Sequence, residues 1–312
     1  MASMPPFIPA WDPEAESRAC CISSEQVGHV EEYMAGHISV DECAVLLTKP
    51  VQAAASRDAQ TMEDAVYAIH AFINSSARTN LHYQPQMLLL IKAIQKLPLV
   101  EVPTPKLDED GEAISLGDEN QKVWEDMSGF GHFWGDMLRA RHADFYDNYN
   151  STDTNKAAAA SAEWADAIAW SMRLVSLHDP RVASDFFLEY TSYPIQHVLE
   201  VEEHPMFAQE LPAAAMAFSY AAPELLHLCR ERHQTDVKYA LYGMDKASVP
   251  EGRSYKFLWI GPGGYSPERW DFWKSRWQTL STASAPGDKI QKLASAAVSA
   301  MEGAERALPN GQ

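Results

Sequence analysis

The stretch from Gly261 to Leu280, GPGGYSPERWDFWKSRWQTL, constrains the fold more than any other part of the chain. A glycine-proline turn leads into a sharply started helix. Ser266 is placed to cap the first free backbone N–H groups, and Pro267 suits the first helical position, where no N–H is needed. Glu268 favours the positive end of the helix dipole. Trp270, Trp273, Trp277 and Leu280 recur at helical spacing and form one apolar stripe, with Arg269, Lys274 and Arg276 expected off its centre. Each indole buries roughly 200 Å², so this helix is expected to seal the C-terminal part of a core. A buried ion pair from Arg269 to a neighbouring carboxylate, Glu268 or Asp271, is also expected.

The rest of the chain repeats helical signals and offers no alternating strand runs. Ser23 with Gln26, and Ser39 with Glu42, read as helix starts. The second of these helices is expected to close before Pro50. A third helix opens near Thr61 and turns Ile69, Phe72 and Ile73 inward. The segment QMLLLIKAIQKL after Pro85 is apolar nearly all round and is expected to be central. Further helices are read over residues 119–146, with Trp124 to Leu138 supplying the apolar positions and breaks around Gly129 and Gly131, and along NKAAAASAEWADAIAWSMRLVSL. Phe187 and Tyr190 mark another, followed by a loop with Pro194, His204 and Pro205. LPAAAMAFSYAAPELLHLCRERH carries Pro223 as a kink or a new start, and a last helix begins near Asp288. The expected fold is all-α, with roughly ten or more helices in packed antiparallel pairs. The expected organisation is an extended proline-rich arm at 1–22, one helical domain at 23–305 with an acidic loop at 104–120, and a tail at 306–312.

Charge narrows the partners. The 43 acidic groups against 25 basic ones give −18, which repels phosphate backbones and anionic lipids, so neither nucleic acid nor a membrane surface is expected. The N-terminus lacks a signal-peptide pattern and no apolar run is long enough to span a bilayer. The four cysteines make no disulfide framework. A cytoplasmic or nucleocytoplasmic protein is expected.

Several segments, taken together, resemble one family. They are YSPERWDFWKSRW with its Glu268-Arg269-Trp270 core and Trp273, YMAGHISVDECAVLL, LLLIKAIQKLP, KVWEDMSGFG, AEWADAIAWSMRLV and KLASAAVSAMEGAE. In this order they resemble a fungal family known as domain of unknown function 3632, over roughly residues 25–305. The chain departs from that family's phrase after Trp164 at Ala165, Ala167 and Trp170. The resemblance implies a helical, intracellular fungal protein and supplies no catalytic residues.

No recognisable nucleophile elbow, phosphate loop or dinucleotide fingerprint is present. Histidine–carboxylate groupings occur at His132/Asp136, His142/Asp144, Glu200/Glu203/His204 and His227/Glu231. None has the spacing of a zinc protease or di-iron bundle, so no metal and no cofactor are expected. The best pocket candidate is residues 129–146, where His132, Phe133, Trp134, Arg139, His142 and Tyr146 combine aromatic walls with polar groups, as small-ligand sites do. The leading functional expectation is a non-enzymatic protein-interaction, scaffold or regulatory module with an unknown protein partner. The alternative is a binder of a small apolar molecule, or an enzyme of fungal secondary metabolism, using that aromatic segment.

Overall fold

The computed structural model describes residues 6–9, 22–57, 59–98, 100, 122–127, 129–183, 185–202, 204–234, 256–283 and 288–308. The acidic stretch 104–120, Cys20, Cys21, Ser128, Glu203 and most of the N-terminal arm lie outside them. Among the described residues the fold is all-α. Its helices are α1 (Ser24–Met34), α2 (Val40–Ala55), α3 (Ala59–Thr79), α4 (Gln84–Ile94), α5 (Phe130–Asn148), α6 (Thr154–Val175), α7 (Asp185–Leu199), α8 (Phe207–Arg230), α9 (Pro267–Thr282) and α10 (Asp288–Ala307). Val201 and Phe257 form an isolated antiparallel bridge. The contacts divide the chain into two compact units, residues 1–137 with 179–182, and residues 138–178 with 183–312.

In the first unit α2 packs against α1, α3 and α4. Ser23 caps α1 in a full capping box: its hydroxyl accepts from Gln26 N, and the Gln26 side chain accepts from Ser23 N. Ser39 caps α2 in turn by accepting from Glu42 N. Contrary to expectation, α2 continues through Pro50 to Ala55. Pro50 is exposed, whereas Val51 and Ala54 beyond it are buried. Burial of that next turn outweighs the roughly 3 kcal/mol that an interior proline costs. The expected central helix, α4, is one-sided instead. Met87, Leu90, Ile91 and Ile94 are buried, but Leu89 is 54% exposed. At the N-terminus, Asn80 holds the backbone of Ile8 by two hydrogen bonds, at 3.0 and 2.7 Å. The Phe7 ring meets Tyr83 edge-on at 5.4 Å.

The second unit is arranged around α8, which packs against α6, α7, α9 and α10. Helix α8 is two helical runs joined at a kink: Ala221 lies outside helical geometry (φ −138°, ψ 30°), and Pro223 falls at the start of the second run, which reaches Arg230. Helix α7 likewise contains Pro194, which had been expected in a loop. Ile195, Val198 and Leu199 behind it are fully buried, and their burial carries the helix past the proline.

The tryptophan helix is α9, with Ser266 as its N-cap, accepting from Arg269 N at 3.2 Å. Phe218 of α8 lies beneath all three indoles, 6.1 Å from Trp270 and 5.8 Å from both Trp273 and Trp277. Arg269 is fully buried beside this stripe. Its carboxylate partner is neither Glu268 nor Asp271 but Glu200, just past the end of α7. Arg269 Nε donates to Glu200 Oε1 at 2.7 Å and Nη2 to Oε2 at 2.5 Å, and Trp273 Nε1 donates to Oε1 at 2.6 Å. Arg269 Nη1 donates to the Gly264 carbonyl at 2.9 Å. Gly264 sits at φ +77°, a conformation that glycine adopts without a steric cost. Glu268 faces outward to Arg232 at 2.6 Å. A residue on the buried side of a helix cannot pair with its outward neighbour, and i,i+1 or i,i+2 side chains do not face one another.

Candidate functional site

The boundary between the two units falls inside α5, after Met137, and divides the residues singled out from the sequence. His132 is 84% exposed and pairs only loosely with Asp136, at 3.7 Å. Phe133 lies 6.4 Å from Tyr67, and Trp134 is fully buried; both belong to the first unit. His142 and Tyr146, by contrast, come together in the second unit, with their rings 4.5 Å apart. Arg139, one turn earlier, is exposed and hydrogen-bonds the Tyr190 side chain.

Around His142 the second unit collects rings from three helices. Trp164 of α6 lies 5.2 Å away; Tyr190 and Tyr193 of α7 lie at 4.9 and 5.2 Å, the latter stacked. Phe145 stacks on the other side of Trp164 at 6.0 Å. Burial in this setting, with the nearby His197 adding to it, pushes the His142 imidazole down to about 4, so the ring is neutral at physiological pH. Two polar ring atoms here, His142 Nε2 and Trp164 Nε1, are buried with no hydrogen-bond partner among the described residues. Tyr193 donates to Glu189 Oε1 at 3.2 Å, and burial raises the Glu189 carboxyl above its usual range.

One turn beyond Tyr193 on α7 stands His197. Its Nδ1 lies 2.7 Å from Glu210 Oε2 on the first turn of α8. The His197 and His204 rings are parallel within 8°, 4.0 Å apart. His204 is held by the backbone N–H of Met206, which reaches its Nδ1 at 3.3 Å. Glu210 is fully buried, and Glu210 Oε1 has no partner among the described residues. The grouping read from the sequence as Glu200, Glu203 and His204 is thus redistributed. Glu200 is taken by Arg269, Glu203 lies outside the described residues, and His204 joins His197 and Glu210.

Sequence reasoning missed His197, Tyr193 and Glu210. Two signals were available: Tyr190, Tyr193 and His197 share helical spacing on α7, and Glu210 is a lone carboxylate entering the apolar run LPAAAMAF.

These features define an all-α, multi-helix protein whose second unit encloses a ring group and a buried histidine–carboxylate cluster. A profile of the family described as "Protein of unknown function (DUF3632)" matches residues 70–277, and the chain belongs to that family. The matched span includes His142, Trp164, His197, His204, Glu210 and the Glu200–Arg269 pair. No curated protein and no solved structure matches the chain. Among the described residues, no helix is long and apolar enough to cross a membrane.

Proposed function

We propose that the second unit binds a small, flat, largely apolar molecule carrying a hydrogen-bond acceptor, held among His142, Tyr146, Trp164, Tyr190 and Tyr193. The observation that carries this reading is the pair of buried, unpartnered ring atoms, His142 Nε2 and Trp164 Nε1, within one ring group. A buried indole N–H ordinarily finds an acceptor, and leaving such a group unpaired costs about 1–3 kcal/mol. A ligand acceptor facing Trp164 would remove that penalty, and the neutral imidazole would supply a second directional contact. Tyr146, 36% exposed, supplies the edge of the ring group nearest solvent. The family resemblance supports a fungal, cytoplasmic setting for this binding.

Native mass spectrometry of the full chain purified gently from a fungal host tests the reading. A copurifying mass of roughly a few hundred daltons, in the range of pocket ligands, is expected on the wild type and absent from His142→Ala and Trp164→Phe. A chain of 34.8 kDa with no added mass, and no binding of indole or 2-naphthol by fluorescence titration, would overturn it.

The second reading is a protein-interaction module. It draws on the −18 charge and on Val45 and Leu89, 53% and 54% exposed, on the packed pair α2 and α4. A stoichiometric protein partner that is retained by wild type and lost in Val45→Lys/Leu89→Lys would favour it.

A further inference from the structure

We propose that His197, His204 and Glu210 bind one divalent transition-metal ion of the zinc class. This goes beyond the ligand site around His142 and stands or falls separately from it. Two imidazoles and a carboxylate are donors that suit zinc and its first-row neighbours; magnesium and calcium prefer all-oxygen sets. One donor atom from each of the three side chains lies within 4.8 Å of the other two. Zinc holds such donors at about 2.0–2.2 Å, so the three reach one ion when their side chains rotate towards it.

The surroundings fit a cation. Glu210 is fully buried at the start of α8, and its Oε1 has no donor among the described residues. A buried carboxylate oxygen left without a donor is costly, and a metal ion offsets that cost directly. His204 is 8% exposed, while the His197 side chain is 22% exposed, which leaves an approach from solvent on the His197 side.

The hydrogen bonds fix where lone pairs and protons lie. Met206 N–H can only donate, so His204 Nδ1 carries a lone pair. That bond is long, at 3.3 Å; a cation that takes the lone pair must also offset the loss of the acceptor for the buried Met206 N–H. Between His197 Nδ1 and Glu210 Oε2 the 2.7 Å contact holds a proton. On metal binding this proton leaves that line. It moves to Nε2 of the same ring or, when the imidazole is cationic, to solvent. The parallel His197 and His204 rings must also part, by rotation of the more exposed His197 about Cα–Cβ as well as Cβ–Cγ, because a ligating nitrogen directs its lone pair in its own ring plane. Three protein donors leave one tetrahedral position for water or another ligand.

The two nearest alternatives are weaker. In the surface hollow beside His29, Glu32 and His37, His29 lies 3.9 and 3.7 Å from the exposed carboxylates of Glu25 and Glu32 on its own helix. His132 and Asp136 are similarly exposed.

The test is equilibrium dialysis of the chelator-treated full chain against ZnCl2, with bound metal counted by elemental analysis. The expected result is one zinc per chain. His204→Ala and Glu210→Gln should each weaken binding by at least about tenfold, the scale on which perturbing a zinc site acts, whereas His132→Ala should leave it unchanged and MgCl2 should not compete. Because Glu210→Gln alters a buried group and can disturb folding, CoCl2 is added to the wild type and to His197→Gln as a second measurement. Visible bands of tetrahedral cobalt should appear in the wild type and vanish in the variant. No stoichiometric zinc, zinc retained unchanged by His204→Ala, or cobalt bands retained by His197→Gln, overturns the proposal.

Discussion

Replacing Arg269 by methionine removes the guanidinium but keeps an apolar stem of similar length. Glu200 then remains buried with Trp273 Nε1 as the donor left of the three that now reach it. Two bonds to the carboxylate are lost, and the Gly264 carbonyl loses the donor at 2.9 Å. Breaking a buried pair from one side typically costs about 3–5 kcal/mol, because the uncompensated charge stays in a poor solvent. Against a typical domain stability of about 5–15 kcal/mol, that is a large fraction. Glu200→Gln should cost a comparable amount, since the guanidinium is then the unpaired charge. The double variant Glu200→Leu/Arg269→Met should recover most of the loss, as apolar replacements of buried pairs often do. Urea unfolding of the full chain, followed by tryptophan fluorescence, measures all three; Trp273 reports locally through its bond to Glu200. The reasoning is refuted if each single variant loses less than about 1 kcal/mol, or if the double variant loses the sum of the two.

Acid should destabilise the protein well above the carboxylate range. Burial holds His70 at about 3 and His142 at about 4. Both are depressed from about 6.5, so their contribution is complete above that pH. It falls away as pH drops through 6.5 towards those values and changes no further below them. Urea midpoints between pH 7 and 4 should decline, and less steeply in His70→Leu; an unchanged slope in that variant would contradict the assignment. The buried thiols of Cys43 and Cys229, both pushed up to about 12 chiefly by burial, should resist alkylation in the native state and react on denaturation. Peptide mapping of the alkylated sites checks this.

Much of the fold was legible because it rests on local chemistry. The serine caps at Ser23, Ser39 and Ser266 act within four residues, and the tryptophan stripe of α9 follows helical spacing. Local chemistry misled wherever burial at a distance decided the outcome. Pro50 and Pro194 read as stops, yet the apolar turns that follow them are buried and the helices continue. Arg269 was given a neighbouring carboxylate as its buried partner, because the real one lies 69 residues away in the chain. The histidine–carboxylate cluster left signals for single members but no joint spacing, for a related reason. Its members come from the end of α7, the following loop and the start of α8, at separations that match no helical period. Of the ring group, the sequence marked His142 and Tyr146 on one helix. Tyr190 and Trp164 were read as apolar faces of other helices, and only packing brings them to the same place.

The Glu200–Arg269 pair also bears on what holds the tryptophan helix in place. Beside it, Leu258 N donates to Glu200 O at 2.7 Å and Glu202 N to Lys256 O at 2.9 Å; nearby, Tyr265 N donates to His233 O at 3.0 Å. Chain on both sides of residues 235–255 is therefore fastened by bonds that those residues do not make. The tryptophan helix and its seat on Phe218 are thus held by chain on either side of 235–255, with Glu200 reaching Arg269 through its carboxylate and Leu258 through its carbonyl.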